Sequence, residues 1–346
     1  MGVGVGSTQE LSKESKPAVS NQQAQRPPSK AAKIFARDAA YLPKSNTEAG
    51  RRILVGAPPD VRGYGNFAPF LNDVAYGRIK VANPNSPLPE NVVARRDIVF
   101  STIGGKDLRL DLFTPKNPGK PLPVVVLIHG GCWLAGARQD YNRLAMDLAS
   151  RGYAAASIDY RLSEEAPYPA AVEDCRAAVR WLRENAGTYT IDQERIALLG
   201  GSAGGHLAEY LGYTASTSAT GPGPKVKAVI SFYGWSDLTH PAVRDFYWNE
   251  VFFGSKYEDA PALYKEASPL THVSKQSPPT LLLQGTIDTI VPPSQSVMLM
   301  EKLDANNVPY VYAPFLGLYH AFTIDADATA RAMYFVEQFL GEYLAK

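Results

Sequence analysis

From Arg96 onward the chain takes on a regular rhythm. "RDIVFST" and "DLRLDLFT" place apolar side chains at alternate positions on either side of "IGGK". That period of two is the mark of half-buried strands, and the glycines sit where a tight turn needs them. The spacing predicts a β-hairpin. Beyond it come short apolar runs without alternation, at Val124–Ile128, Ala154–Asp159, Ile196–Leu199, Val229–Phe232, Thr280–Leu283 and Tyr310–Pro314. Bounded by turn residues, they read as strands buried on both faces. The stretches Asp140–Arg151, Ala170–Glu184, Ser294–Asp304 and Ala328–Leu344 carry helical patterns between or after them. A hairpin followed by alternating β and α units predicts an α/β protein, with a mostly parallel eight-stranded sheet covered by helices on both faces.

Upstream the pattern is different. Residues 1–32 are rich in Ser, Gln, Lys and Pro with almost no large apolar side chains, which predicts a disordered tail. Residues 33–95 hold a short helical stretch near Ala32–Tyr41 and then "GAPPDVRGYGNFAPFLNDVAYG". Such a Pro/Gly/aromatic segment orders only by packing on something else, so it is expected to form a strap over the main domain, either bordering a substrate cleft or wrapping far from it. Within the main domain, 96–346, residues 236–278 interrupt the alternation with several aromatics and are expected to form a small cap above the strand ends.

Composition narrows the function classes. At 346 residues and 45% hydrophobic, the chain can bury a full core. With 35 basic against 34 acidic side chains, and no basic-aromatic cluster, nothing points to nucleic acid or an anionic membrane. No run approaches the roughly 18 apolar residues of a membrane helix. The first residues lack the apolar core of a secretory signal, and localisation stays open between the cytoplasm and export after removal of a leader. Cys132 and Cys175 form neither a disulfide framework nor a metal-ligand spacing, and no metal is assigned. Oligomeric state is not readable.

The chemistry gathers around "RIALLGGSAGGHLAEYLG", residues 195–212. Gly200-x-Ser202-x-Gly204 alone is a weak motif. Here it lies between a strand and a helix, the setting that holds a serine at a strained elbow with its hydroxyl exposed. A serine hydroxyl needs a base to take its proton, and the base needs an orienting carboxylate. Asp288 follows the strand "PTLLLQG" and His320 follows "PYVYAPF". Of the five histidines only His320 lies in a loop after the last strand. The order Ser202, Asp288, His320 is that of an α/β-hydrolase triad, whereas the rival carboxylate Asp325 follows the histidine and would break that order. "VVVLIHGGCW" runs a strand into a glycine turn that supplies oxyanion donors, and a further donor is the N–H of Ala203. Trp133, Tyr233 and Trp235 lie at or just past strand ends and are candidate substrate-binding residues. Asp159 and Arg161 in "DYRL" are expected to pair as a buried ion pair.

Taken together, HGG(x)W, "DYRLSEEAPYPAAVEDCRAAVRWLREN", "GGSAGGHLA", "GTIDTIVPPSQS" and "YHAF" resemble the hormone-sensitive-lipase-like branch of the α/β-hydrolase superfamily. Within it they are most similar to microbial acetyl and feruloyl esterases, over Arg96 to Lys346. The resemblance implies a carboxylesterase-type serine hydrolase that acts without a cofactor on short-chain or aromatic acyl esters, small or polysaccharide-linked. It also implies that the oxyanion donors after His129 are Gly131 and Cys132. Cys132 stands where the family usually has a third glycine, so its N–H is retained without strain only if φ stays negative. Two alternatives share the framework: an amidase such as an arylformamidase, and a non-catalytic ligand receptor.

Overall fold

The computed structural model describes residues 42–345 except 62, 65–72, 74–75, 77–79, 82–85 and 215–224. The expected tail over 1–32, the helical stretch near Ala32–Tyr41 and much of the aromatic strap segment lie outside the described residues. Among the described residues the strands are β1 (Lys44–Ser45), β2 (Val92–Ile103), β3 (Lys106–Pro115), β4 (Leu122–Ile128), β5 (Ala154–Ile158), β6 (Ile191–Gly201), β7 (Ala228–Phe232), β8 (Thr280–Gly285) and β9 (Tyr310–Phe315). They form one sheet in the order β1-β9-β8-β7-β6-β4-β5-β3-β2. Every pairing from β5 through β4, β6, β7 and β8 to β9 is parallel. The antiparallel partners are confined to the edges, where β3 joins β2 and β5, and β1 joins β9. Hairpin geometry follows from the turn, with Gly104 at φ 58° and Gly105 at φ 83°.

The sheet has nine strands, one more than the expected eight. The extra strand is the pair Lys44–Ser45, held on the β9 edge by Ser45 Oγ donating to the Tyr310 carbonyl at 2.5 Å and Asn46 Nδ2 to that of Val308 at 2.9 Å. Two residues have no hydrophobic period to betray them. Side-chain hydrogen bonds, rather than patterning, fix this edge.

All seven residues of β4, "LPVVVLI", are buried, and they divide between the two faces. Val125 and Leu127 join the cluster formed with helices α1 (Glu48–Val55), α2 (Asn142–Ser150) and α10 (Ala326–Tyr343). Val124, Val126 and Ile128 face α3 (Ala170–Glu184) and α5 (Ala203–Thr214). The short α4 (Ala186–Tyr189) follows α3, and α9 (Ser294–Ala305) covers β8 and β9. Each fully buried aliphatic side chain contributes about 1.5–3 kcal/mol, so a two-faced apolar strand is anchored whichever side is perturbed. Residues 236–278 form three short helices, α6 (Tyr247–Phe253), α7 (Pro261–Glu266) and α8 (Pro269–His272), which pack toward α3 and α5.

Asp159 and Arg161 do not pair with each other, against the sequence expectation. Asp159 accepts from Arg138 Nη1 at 2.6 Å, while Arg161 binds the fully buried Asp174 at 2.8 Å. The chain turns between them just beyond β5, so each is satisfied by a different neighbouring segment.

Candidate active site

β4 lies between β5 and β6, so strand order reverses beside it. In open α/β sheets the crevice at such a switch point is where ligands bind. The loop after β4 and the elbow after β6 therefore meet there. Ser202 occupies the single residue between β6 and α5 at φ 57°. That backbone region costs a non-glycine residue of the order of 1 kcal/mol and persists only where surroundings dictate it. They do so here: a Cβ on Gly200 would overlap the Gly204 carbonyl, and one on Gly204 would overlap that of Ile128. The Ser202 N–H also donates to the Phe232 carbonyl at 2.9 Å.

Strand ends bring the other two expected residues alongside. Ser202 Oγ lies 2.9 Å from His320 Nε2, and His320 Nδ1 lies 2.8 Å from Asp288 Oδ2. A carboxylate can only accept, so Nδ1 carries the ring proton and Nε2 presents its lone pair to the serine hydroxyl. Asp288 is 3% exposed. Its Oδ1 accepts from the N–H groups of Ile290 at 2.9 Å and Val291 at 2.8 Å, and its Oδ2 also accepts from Gln284 Nε2 at 3.1 Å. These donors fix the orientation of the buried carboxyl group.

Gln284 is missing from the sequence reading. Its amide also reaches the Val291 carbonyl at 3.1 Å, and its Oε1 accepts from Ser296 Oγ at 3.0 Å. One signal was available: a glutamine inside the apolar run "PTLLLQG" must find partners if buried.

The other histidines are occupied. His129 is stacked on Tyr160 at 4.2 Å between ring centres, and burial pulls its pKa down. His206 donates from Nε2 to the Ala267 carbonyl at 2.8 Å, and complete burial lowers its pKa to about 4. Both are neutral at pH 7 and neither faces Ser202.

Gly131, Cys132 and Ser202 line one cavity of about 620 Å³ together with His320 and Tyr233. Gly131, Cys132 and Trp133 all have positive φ, at 112°, 55° and 59°. Cys132 thus occupies the conformation that a third glycine would adopt without strain. The turn is held by Leu134 and Ala135 N–H groups that both donate to the Gly131 carbonyl at 3.0 Å, and by the Ser163 N–H donating to the Trp133 carbonyl at 2.8 Å. Among the described residues, the N–H groups of Gly131 and Cys132 donate to no protein acceptor. Burial raises the Cys132 pKa, which keeps a thiol rather than a thiolate beside Ser202. Ala203 is the first residue of α5, where an N–H has no partner within the helix.

The expected substrate-binding residues separate. Tyr233 lines the cavity, with its ring 4.9 Å from that of His320 and its hydroxyl 2.6 Å from Thr323 Oγ1. Trp133 and Trp235 are fully buried, stacked at 4.8 Å, and line no part of it. Residues 236–278 also supply none of the lining.

Comparison with known proteins fits this geometry. The BD-FAE family model matches residues 110–303. The chain belongs to the BD-FAE family. That match runs from within β3 into α9 and includes Ser202 and Asp288 but ends before His320. This BD-FAE chain is 33% identical to Esterase LipQ of Mycobacterium tuberculosis over 275 residues, 75% of this chain and 65% of LipQ. It is 36% identical to Carboxylesterase NlhH of the same organism over 145 residues, 41% of this chain and 45% of NlhH. The chain spans 55% to 65% of the length of three mycobacterial relatives, LipQ, LipC and LipM. Among solved structures, a truncated carbohydrate esterase from gut microbiota aligns with TM-score 0.61 and 25% identity, over 73% of this chain and all 100% of that one. The Est2 esterase of Thermogutta terrifontis aligns with TM-score 0.61 at 24% identity over 77% of this chain and 96% of its own, which speaks for the α/β-hydrolase fold alone.

Proposed function

We propose that this chain is a serine hydrolase of carboxylic esters with short or aromatic acyl groups, either small molecules or esters carried on polysaccharides. The observation that carries the reading is the unbroken hydrogen-bonded line from Asp288 through His320 to Ser202, opening on a cavity lined by Gly131 and Cys132. Ser202 Oγ attacks the acyl carbon while His320 Nε2 takes its proton, and the imidazolium so formed is stabilised by Asp288. N–H groups of Gly131, Cys132 and Ala203 hold the oxyanion. His320 returns the proton to the departing alcohol, leaving an acyl group on Ser202. A water, deprotonated by the same imidazole, then releases the acid. Names of relatives that include esterases and carboxylesterases support the reaction class.

Initial rates on p-nitrophenyl esters from acetyl to decanoyl, beside methyl ferulate and N-formylkynurenine, test the reading with Ser202→Ala as control. Serine-dependent turnover of acetyl or feruloyl esters is expected. Turnover of the formamide alone would replace it with an amidase.

A further inference from the structure

Two segments contribute much of the cavity lining. One is the segment that opens α2, with Tyr141, Arg143 and Leu144. The other is the chain just after His320, with Ala321, Thr323 and Ile324, which leads directly into α10. The N-terminal strap is tied to both. On the α10 side, Val81 forms an antiparallel bridge with Asp325, and the Ala326 N–H donates to the Lys80 carbonyl at 2.8 Å. On the α2 side, Arg143 Nη1 donates to Ser86 Oγ at 2.8 Å. Residues 80 and 86 are therefore tied to the two lining segments, and Val81 itself lines the cavity.

Val81 and Ile324 are 50% and 44% exposed, large aliphatic side chains left half in water at the cavity rim. Aliphatic surface in that position gains free energy when an apolar group covers it. Elsewhere the lining includes the apolar Phe232 and Tyr233. An acetyl group bound at Ser202 would fill only a small part of about 620 Å³. Both rim residues lie outside residues 110–303, the stretch that the BD-FAE model matches.

We propose that Val81 and Ile324 form the outer part of the substrate site and set selectivity for esters whose apolar alkyl or aryl portion reaches the rim. This rests on the ester-hydrolase reading above. Val81 touches the part of the substrate distant from the scissile bond, so its contribution is to binding, and it favours long esters over short ones. Each methylene buried on the rim strengthens binding by about fourfold, from roughly 0.8 kcal/mol per methylene.

The test compares kcat/KM for p-nitrophenyl octanoate and acetate in the wild-type chain, Val81→Ser, Val81→Trp and Ser86→Ala. Val81→Ser is expected to lower the octanoate-to-acetate ratio by about fivefold, carried in KM for octanoate, since it exchanges aliphatic contact for a hydroxyl. Val81→Trp, which fills the rim, is expected to lower the ratio by tenfold or more. Ser86→Ala, which releases the α2 anchor, is expected to move it in the same direction by a smaller factor. An unchanged ratio in both Val81 variants, with wild-type turnover of acetate intact, overturns the proposal. A wild-type chain inert toward both esters counts against the ester-hydrolase reading instead. The rim is then read by calorimetric binding of octanoate to the wild type and Val81→Trp, and equal affinities overturn the proposal.

Discussion

Three consecutive residues divide the molecule into two unlike halves. Gly131 and Cys132 face the cavity, whereas Trp133 turns the other way, fully buried against Phe252 at 4.2 Å and Trp235 at 4.8 Å. On the cavity side of Ser202 lie backbone amides, half-exposed aliphatics and an ionisable imidazole. On the far side lies a dry aromatic stack that also holds His206, 5.1 Å from Trp133. The open side does the chemistry proposed above, and the closed side fixes where it happens. A loop with three successive positive φ values keeps its shape because the indole at its end is clamped. Both indoles are fully buried and line no part of the cavity.

The sharpest way to break this division is on the open side. His320→Ala removes the base, and kcat/KM for p-nitrophenyl acetate is expected to fall by roughly 10⁴–10⁶-fold while thermal unfolding changes little. A loss below tenfold would mean that another group takes the serine proton. On the closed side the expected effect is reversed in kind. Trp133→Ala opens a cavity in the stack and should cost about 3–5 kcal/mol of stability in denaturant titrations. Its neighbour offers the contrast: Cys132→Gly removes a strained Cβ but loosens the unfolded chain, so the net change should stay within about 1 kcal/mol. Equal destabilisation by the two substitutions would dissolve the distinction between the halves.

Gln284→Ala sharpens the account at the boundary. It removes a buried amide that holds Asp288, the Val291 carbonyl and the Ser296 hydroxyl, and a cost of about 1–3 kcal/mol is expected for the unsatisfied groups. Lower kcat should accompany it, because Asp288 loses a fixed donor. A further effect is expected in pH dependence. Burial depresses the His206 pKa to about 4 from 6.5, so the unfolded chain binds more protons between those values. Stability from this residue is complete above pH 6.5 and is lost as pH falls toward 4. Melting curves of the wild type and His206→Gln should therefore diverge less at acid pH if the histidine is the sensor. An unaltered acid slope in the variant would remove His206 from the account.

Much of this was legible in the residues. The six parallel strands and the helices over 170–184 and 294–305 announce themselves because burial on two faces, or on one stripe, leaves a hydrophobic period. Ser202, Asp288 and His320 follow from the same pattern, since each comes just past the end of a strand. What escaped obeys other physics. Lys44–Ser45 is held by side-chain hydrogen bonds and has no period. The partners of Asp159 and Arg161 depend on loops brought together only by the fold. Trp133 could not be assigned to one side from position alone, because the turn of the backbone at Cys132 decides it. Whether residues 33–95 border the cavity was open from composition alone, and Val81 is the described residue of that segment that lines it.

The central claim is that Ser202 becomes acylated. Rapid mixing with p-nitrophenyl acetate followed by acid quench and peptide mass analysis reads this directly. The account predicts a burst of nitrophenolate matching the number of chains, with one acetyl group on the peptide that carries Ser202 and none on the peptide that carries Cys132. Ester hydrolysis that survives in Ser202→Ala, or acetyl found on Cys132 instead, would contradict it.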